Sequence, residues 1–150
     1  MGSYDDDLRF AHVLADAADD ITTKRFKALD LRVETKPDLT PVSDADRAAE
    51  DSIRNIQRRS RPRDAVIGEE SGQTGSGPRR WVIDPIDATK NYVRGVQVWG
   101  TLIGLLDGDQ VVVGEQLRQA VGLTTGDDDP PARRGPFAEL ARERLHLAGK

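Results

Sequence analysis

Cysteine is absent from the 150 residues, so neither a disulfide nor a thiolate metal site is available to this chain. Aromatic residues are scarce, at 5%, which leaves few stacking platforms for single-stranded nucleic acid. The net charge is −4, giving no broad attraction to a phosphate backbone. No apolar run approaches the roughly 20 residues of a membrane-spanning helix, and the early Asp5-Asp6-Asp7 is unlike the opening of a signal peptide. These absences exclude a disulfide scaffold, a membrane protein and a nucleic-acid binder built on Arg58, Arg59, Arg61, Arg63, Arg133 and Arg134. They leave a soluble, cytoplasmic type of chain, long enough for one domain with a real core.

What the sequence has instead is acid at the ends of apolar strands. Trp81-Val82-Ile83 is aromatic and β-branched and reads as a strand. Asp84 follows, and Pro85 lacks a backbone N–H, so a central strand is expected to stop there. Asp87 lies three residues beyond Asp84, within reach of the same point, and Asp87 or Thr89 is placed to cap a short helix. Acidic oxygens beside a helix start form a meeting place for a hard cation and a phosphate. The simpler alternative is an ordinary strand–turn–helix in which both aspartates only cap and turn. A second short strand, Ala65-Val66-Ile67, ends in Gly68-Glu69-Glu70. If the two strands are neighbours, Glu69 or Glu70 reaches the same sheet end as Asp84. Such acid density repels itself unless a metal neutralises it, and oxygen-only donors select Mg2+ or Mn2+ over Zn2+.

Around these strands the hydrophobic periodicity defines two helices and about five strands over residues 4–114. Leu8, Ala11, Leu14, Ala15, Ala18, Ile21 and Phe26 recur at helical spacing, predicting an amphipathic helix over 4–28. His12 lies near that face as a packing or surface residue. Residues 31–36 alternate as a strand, and the two prolines of 36–41 predict a loop. Ser43 suits a helix N-cap, with Asp46 closing a capping box and the helix running to about residue 59. Asp44 falls in its first turn, where an acid complements the helix dipole. The glycine- and serine-rich residues 71–80 read as a flexible loop, 95–104 as a central strand, and Asp107-Gly108 as a hairpin turn before a strand over 110–113.

The strings Gly68-Glu69-Glu70-Ser71 and Trp81-Val82-Ile83-Asp84-Pro85-Ile86-Asp87-Ala88-Thr89-Lys90-Asn91-Tyr92 resemble the inositol monophosphatase family of Mg2+-dependent sugar phosphatases. The likeness runs from about Leu8 to Gly114. Lys36-Pro37-Asp38-Leu39-Thr40-Pro41-Val42-Ser43-Asp44-Ala45-Asp46-Arg47 and the stretch from Asn91 to Trp99 most resemble its histidinol-phosphate phosphatase branch. The resemblance implies an α/β (α+β layered) fold, with two N-terminal helices packed on a mostly antiparallel sheet. It also implies hydrolysis of a small phosphorylated metabolite, histidinol phosphate or alternatively inositol 1-phosphate or a related polyol phosphate, by a family whose members are commonly homodimers.

Carried over by position, Glu69, Asp84 and the Ile86 carbonyl would hold one Mg2+, and Asp84 with Asp87 a second. Thr89, paired with Asp44, would orient the attacking water, with Glu69 in reach. The amides of Ala88 and Thr89 would receive the phosphate, and Glu70 would lie near the metals. Ala88 stands where the family has glycine, a strained choice if the backbone there is left-handed and a harmless one in a first helical turn.

Beyond Gly114 the pattern departs from the family. Residues 115–121 have modest helical character, 124–136 are rich in Asp, Pro and Arg, and 137–147 suggest a short helix containing His146. The family's second domain carries a Trp-Asp-x-Ala motif whose aspartate completes the metal site. Here Trp81 and Trp99 are not followed by Asp. Residues 1–114 are therefore expected to be a metal- and phosphate-binding domain, and 115–150 a divergent tail with the second domain absent. The alternative of another class is an inactive fragment that only binds metal or a partner subunit.

Overall fold

The computed structural model describes residues 4–118. Helix α1 (Asp5–Arg25) is followed by two short paired strands, β1 (Val33–Thr35) and β2 (Pro41–Ser43), and by helix α2 (Asp44–Ser60). Then come β3 (Ala65–Gly68), β4 (Gly72–Thr74), β5 (Arg79–Asp87), a five-residue helix α3 (Thr89–Val93), β6 (Gly100–Asp107) and β7 (Gln110–Arg118). The main sheet runs β4-β3-β5-β6-β7, antiparallel except where β3 and β5 run parallel. Helices on a mostly antiparallel sheet are the expected fold class. No described helix is long and apolar enough to cross a membrane.

The helices pack closely because the facing positions are small. Ala11, Ala15 and Ala18 of α1 and Ala45 and Ala49 of α2 are all buried, which allows near approach of two helix backbones. Phe10, Leu14 and Ile53 fill the space against Val66, Trp81, Ile83, Ile103 and Leu105 of the sheet. Phe10 and Trp81 meet edge to face, with ring centroids 5.3 Å apart. A second cluster, Phe26, Tyr92 and Trp99 with Ala45 and Ile86, anchors α3 beneath the site.

Several boundaries differ from the sequence reading. α1 ends at Arg25, since Lys27 takes a left-handed φ of 58° that no helix continues. Residues 71–80 are not simply a loop, because Gly72–Thr74 pairs with β3 as an antiparallel hairpin. Residues 96–98 lie outside the strand, and β6 starts at Gly100. Residues 115–118, read as helical, prolong β7 opposite β6, so its strand crosses the boundary expected at Gly114. The readings for 119–150, the helix over 137–147 and His146 included, lie outside the described residues.

The largest difference is at Pro85, where β5 does not stop. Asp84 pairs with Leu102 and Asp87 with Gly100, so Pro85 and Ile86 together face Thr101 across a bulge. A bulge is one of the few places in a sheet that tolerates a residue without an N–H. The buried Thr101 hydroxyl donates to the Pro85 carbonyl at 2.8 Å, which uses an acceptor the distorted ladder would otherwise strand.

Tyr92 supplies the tie between α3 and α1. Its buried hydroxyl donates to the Thr22 carbonyl at 2.7 Å. That carbonyl also accepts the Phe26 N–H, so deleting the hydroxyl strands no acceptor. Tyr92→Phe is expected to lower stability by about 1 kcal/mol, read as a lower urea midpoint with unchanged slope; an unchanged midpoint would show that the bond contributes nothing.

Candidate functional site

The bulge decides where the acids go. Residues three apart on a regular strand face opposite sides, because side chains alternate. One extra residue between Asp84 and Asp87 restores them to a common side. Asp84 is buried, 8% exposed. Burial is the main cause pushing its carboxyl from an ordinary 3.8 up to about 7. The charges of Asp87, Asp46 and Glu70 add to the rise, and the Ile86 N–H, bonded to the carboxylate, opposes it.

Glu69 and Glu70 turn the β3–β4 hairpin at the same end of the parallel β3–β5 pair, as the sequence reading required. Lys36 reaches both, with Nζ 3.5 Å from Glu69 Oε1 and 3.6 Å from Glu70 Oε1. Glu70 is the more buried, and burial raises its carboxyl above the usual range while Lys36 lowers it. Among the described residues, no three acidic or histidine side chains stand in a ready-made metal cage. The fold gathers acids that feel one another's charge, with Asp87, Asp46 and Glu70 all acting on Asp84.

The pairing expected between Thr89 and Asp44 is corrected. Thr89 Oγ1 lies 3.1 Å from Asp46 Oδ1 and 3.1 Å from the Ile86 carbonyl oxygen, so one hydroxyl hydrogen has two acceptors. Asp46 is buried and also closes the capping box at the start of α2. Its Oδ2 accepts the Ser43 N–H at 2.8 Å and the Ser43 hydroxyl at 2.5 Å. Burial raises the Asp46 carboxyl despite these hydrogen bonds. Asp44 points away from Thr89, to Arg25 at the end of α1, with 2.9 Å between Asp44 Oδ2 and the guanidinium. A signal for this was present: Asp46 begins a helical-spacing row with Glu50, Arg54 and Gln57 beside the apolar face of Ala45, Ala49 and Ile53. A capping aspartate that also belongs to a buried stripe has two duties.

Neither Asp87 nor Thr89 caps α3. Its N-cap is Ala88, left-handed at φ 67° and ψ 53°, with no side-chain cap bond. The family glycine is thus replaced at a position where Cβ is penalised. Ala88→Gly is expected to stabilise the fold by about 1 kcal/mol, measured as a rise in the midpoint of chemical unfolding; a fall would show that the turn is not strained.

The chain belongs to the inositol monophosphatase family: a sequence model of that family matches residues 4–115. A histidinol-phosphatase of Streptomyces coelicolor is 66% identical over 126 residues, covering 81% of this chain and 47% of the relative. A histidinol-phosphatase of Mycobacterium tuberculosis is 57% identical over 110 residues, covering 73% of this chain and 42% of the relative. Among solved structures, an inositol monophosphatase of Thermotoga maritima superposes with a TM-score of 0.70 at 28% identity, covering 77% of this chain and 45% of the other. One from Zymomonas mobilis gives 0.64 at 39% identity, covering 79% and 46%. The chain spans less than half the length of each of these relatives.

Asp84 also sets a pH dependence. Its folded value lies above the unfolded one, so between about pH 4 and pH 7 the folded state holds a proton the unfolded state has lost, and stability falls as pH rises. The gap corresponds to about 4 kcal/mol at most. In the presence of a chelator, Asp84→Asn is therefore expected to be more stable than the parent at pH 8 and equal to it near pH 4. Parallel stability curves for the two proteins across this window would exclude a raised Asp84.

Proposed function

We propose that this chain supplies the metal- and phosphate-binding part of a Mg2+-dependent phosphatase that hydrolyses histidinol phosphate. The observation that carries the reading is Asp84, buried at a strand bulge and driven toward its protonated form by burial and by three other acids. A hard divalent cation reverses that penalty, and the donor set is made only of oxygens, which suits Mg2+ or Mn2+. Glu69, Asp84 and the Ile86 carbonyl would hold one ion, and Asp84 with Asp87 a second, with Glu70 close by. When bound, the metal neutralises phosphoryl oxygens and acidifies a water.

The chain's own groups account for the rest. The Thr89 hydroxyl gives its hydrogen to Asp46 or Ile86, leaving a lone pair to orient the attacking water. Asp46, with its raised carboxyl, is suited to take the proton through Thr89. The amides of Ala88 and Thr89, at the start of α3, would receive the phosphate. No covalent intermediate is required. Identity to two histidinol-phosphatases supports that substrate over inositol 1-phosphate.

A second reading is a chain that binds the metal or pairs with a partner subunit without turnover. Calorimetric titration with Mg2+, beside an assay of phosphate release from histidinol phosphate and inositol 1-phosphate, separates the two. The expected result is a binding heat that Asp84→Asn abolishes, with histidinol phosphate the faster substrate. Equal heats for both proteins would remove the metal site, and heat without phosphate release would favour the second reading.

A further inference from the structure

The polar row on α2 reaches further than the site chemistry requires. Asp46, Glu50 and Gln57 are 1%, 1% and 3% exposed, a costly set of groups to bury unless each has an assigned partner. Each holds a different corner of the chain. Asp46 takes Thr89. Gln57 Nε2 donates to the carbonyls of Arg61 and Asp64, at 3.0 and 2.9 Å, and so fixes the entry to β3. Between them, Glu50 Oε1 accepts the Glu70 N–H at 3.0 Å. Arg54, one turn further on, donates to the Thr74 hydroxyl at 2.9 Å and to the Gly72 carbonyl, while its Nε lies 3.4 Å from Glu50 Oε2.

Glu50 and Arg54 thus hold the turn that carries Glu69 and Glu70 and the β4 arm that follows it. Gly68 shows how closely they fit. A Cβ there would lie 2.1 Å from Glu50 Oε1 and 2.7 Å from the Arg54 guanidinium. Gly68 does not have a positive φ, so a side chain there would act by pushing the ends of Glu50 and Arg54 out of these contacts.

We infer that Glu50, braced by Arg54, is a positioning residue that holds the Glu69–Glu70 corner at the distance from β5 needed for metal binding. α2 then works as a ruler: Asp46 sets the β5–α3 corner and Glu50, one turn away, sets the β3–β4 corner, so the spacing between the two acidic turns is a helical repeat. The inference rests on the metal-site reading given above.

The test uses the whole chain, with near-ultraviolet circular dichroism to establish folding before Mg2+ titration by calorimetry. Glu50→Leu removes the acceptor and is expected to weaken Mg2+ about tenfold, the lower range for losing a group that supports a metal ligand. Glu50→Gln retains an acceptor oxygen and is expected to stay within about threefold of the parent by the same reasoning. Amide exchange at Glu70 should be slow in the parent and the glutamine variant and fast in the leucine variant. Should Glu50→Leu not fold, Arg54→Met reads the same clamp and should also weaken Mg2+ while freeing the hairpin amides.

Loss of Mg2+ binding in Asp84→Asn, together with parental affinity in folded Glu50→Leu or Arg54→Met, overturns the inference and leaves the metal site standing. A parent chain that binds no Mg2+ overturns both. Equal weakening by leucine and glutamine, with Glu70 exchange unchanged, assigns Glu50 to bulk electrostatics and also overturns it.

Discussion

A carboxylate buried in a central strand among other carboxylates is the constraint to which the rest of this fold answers. Ionised Asp84 is disfavoured both by the apolar core around it and by the charges of Asp87, Asp46 and Glu70. A side chain in that position moves toward solvent unless the backbone denies it the freedom. Here the backbone is held by a bulge, a proline and a threonine hydroxyl, and the bulge sits in the middle of a sheet whose paired strands resist adjustment. Covalent geometry and ladder pairing keep the acid in place, and the Ile86 N–H bonded to its carboxylate offsets part of the penalty.

Rigid support for one corner is of little use unless the other corners are held in the same frame. α2 supplies the frame because a helix repeats every 3.6 residues with little play. Its start is fixed by the Ser43–Asp46 capping box, the box residue reaches on to Thr89, and the next residues of the same row hold the hairpin. Small alanines beneath that row let α1 press the helix against the sheet. Local capping, helix–helix packing and site geometry are therefore one arrangement, and a change in any of them is transmitted to the acids.

The apolar spacing of α1, the capping box of α2 and the strand through Trp81-Val82-Ile83 were legible in the sequence because each is a local pattern with a single dominant cause. The adjacency of β3 and β5 was only a condition in the sequence reading, and the parallel pairing of the two strands fulfils it. What escaped was non-local. Nothing in Pro85 itself announces that Thr101, sixteen residues on, will accept it into the sheet as part of a bulge. Asp44 and Asp46 lie two residues apart at a helix start, and only the rotation of the helix against β5 decides that the second faces Thr89 while the first meets Arg25. The state of Ala88 turned on a backbone angle that the residue type disfavours. The short strand Gly72–Thr74 pairs with β3 and is also held by Arg54, a contact between residues 18 and 20 positions apart.

β5 offers an internal comparison that separates structural from functional acid. At its first residue, Arg79 donates to Asp7 at 2.7 Å and to Asp64 at 3.1 Å, and Asp64 also accepts the Trp81 indole N–H at 3.0 Å. Asp7 is about as buried as Asp84, 9% exposed against 8%, so burial alone does not distinguish the two ends. The neighbouring charges do: at the first residue of the strand, Asp7 and Asp64 face the Arg79 guanidinium. At the other end the strongest charge effects on the buried acid come from more acids, an arrangement that lowers the stability of the folded chain at neutral pH. The same strand and the same helices thus carry both cases, and the contrast is the one that the metal-site reading proposed above expects at the C-terminal end of β5.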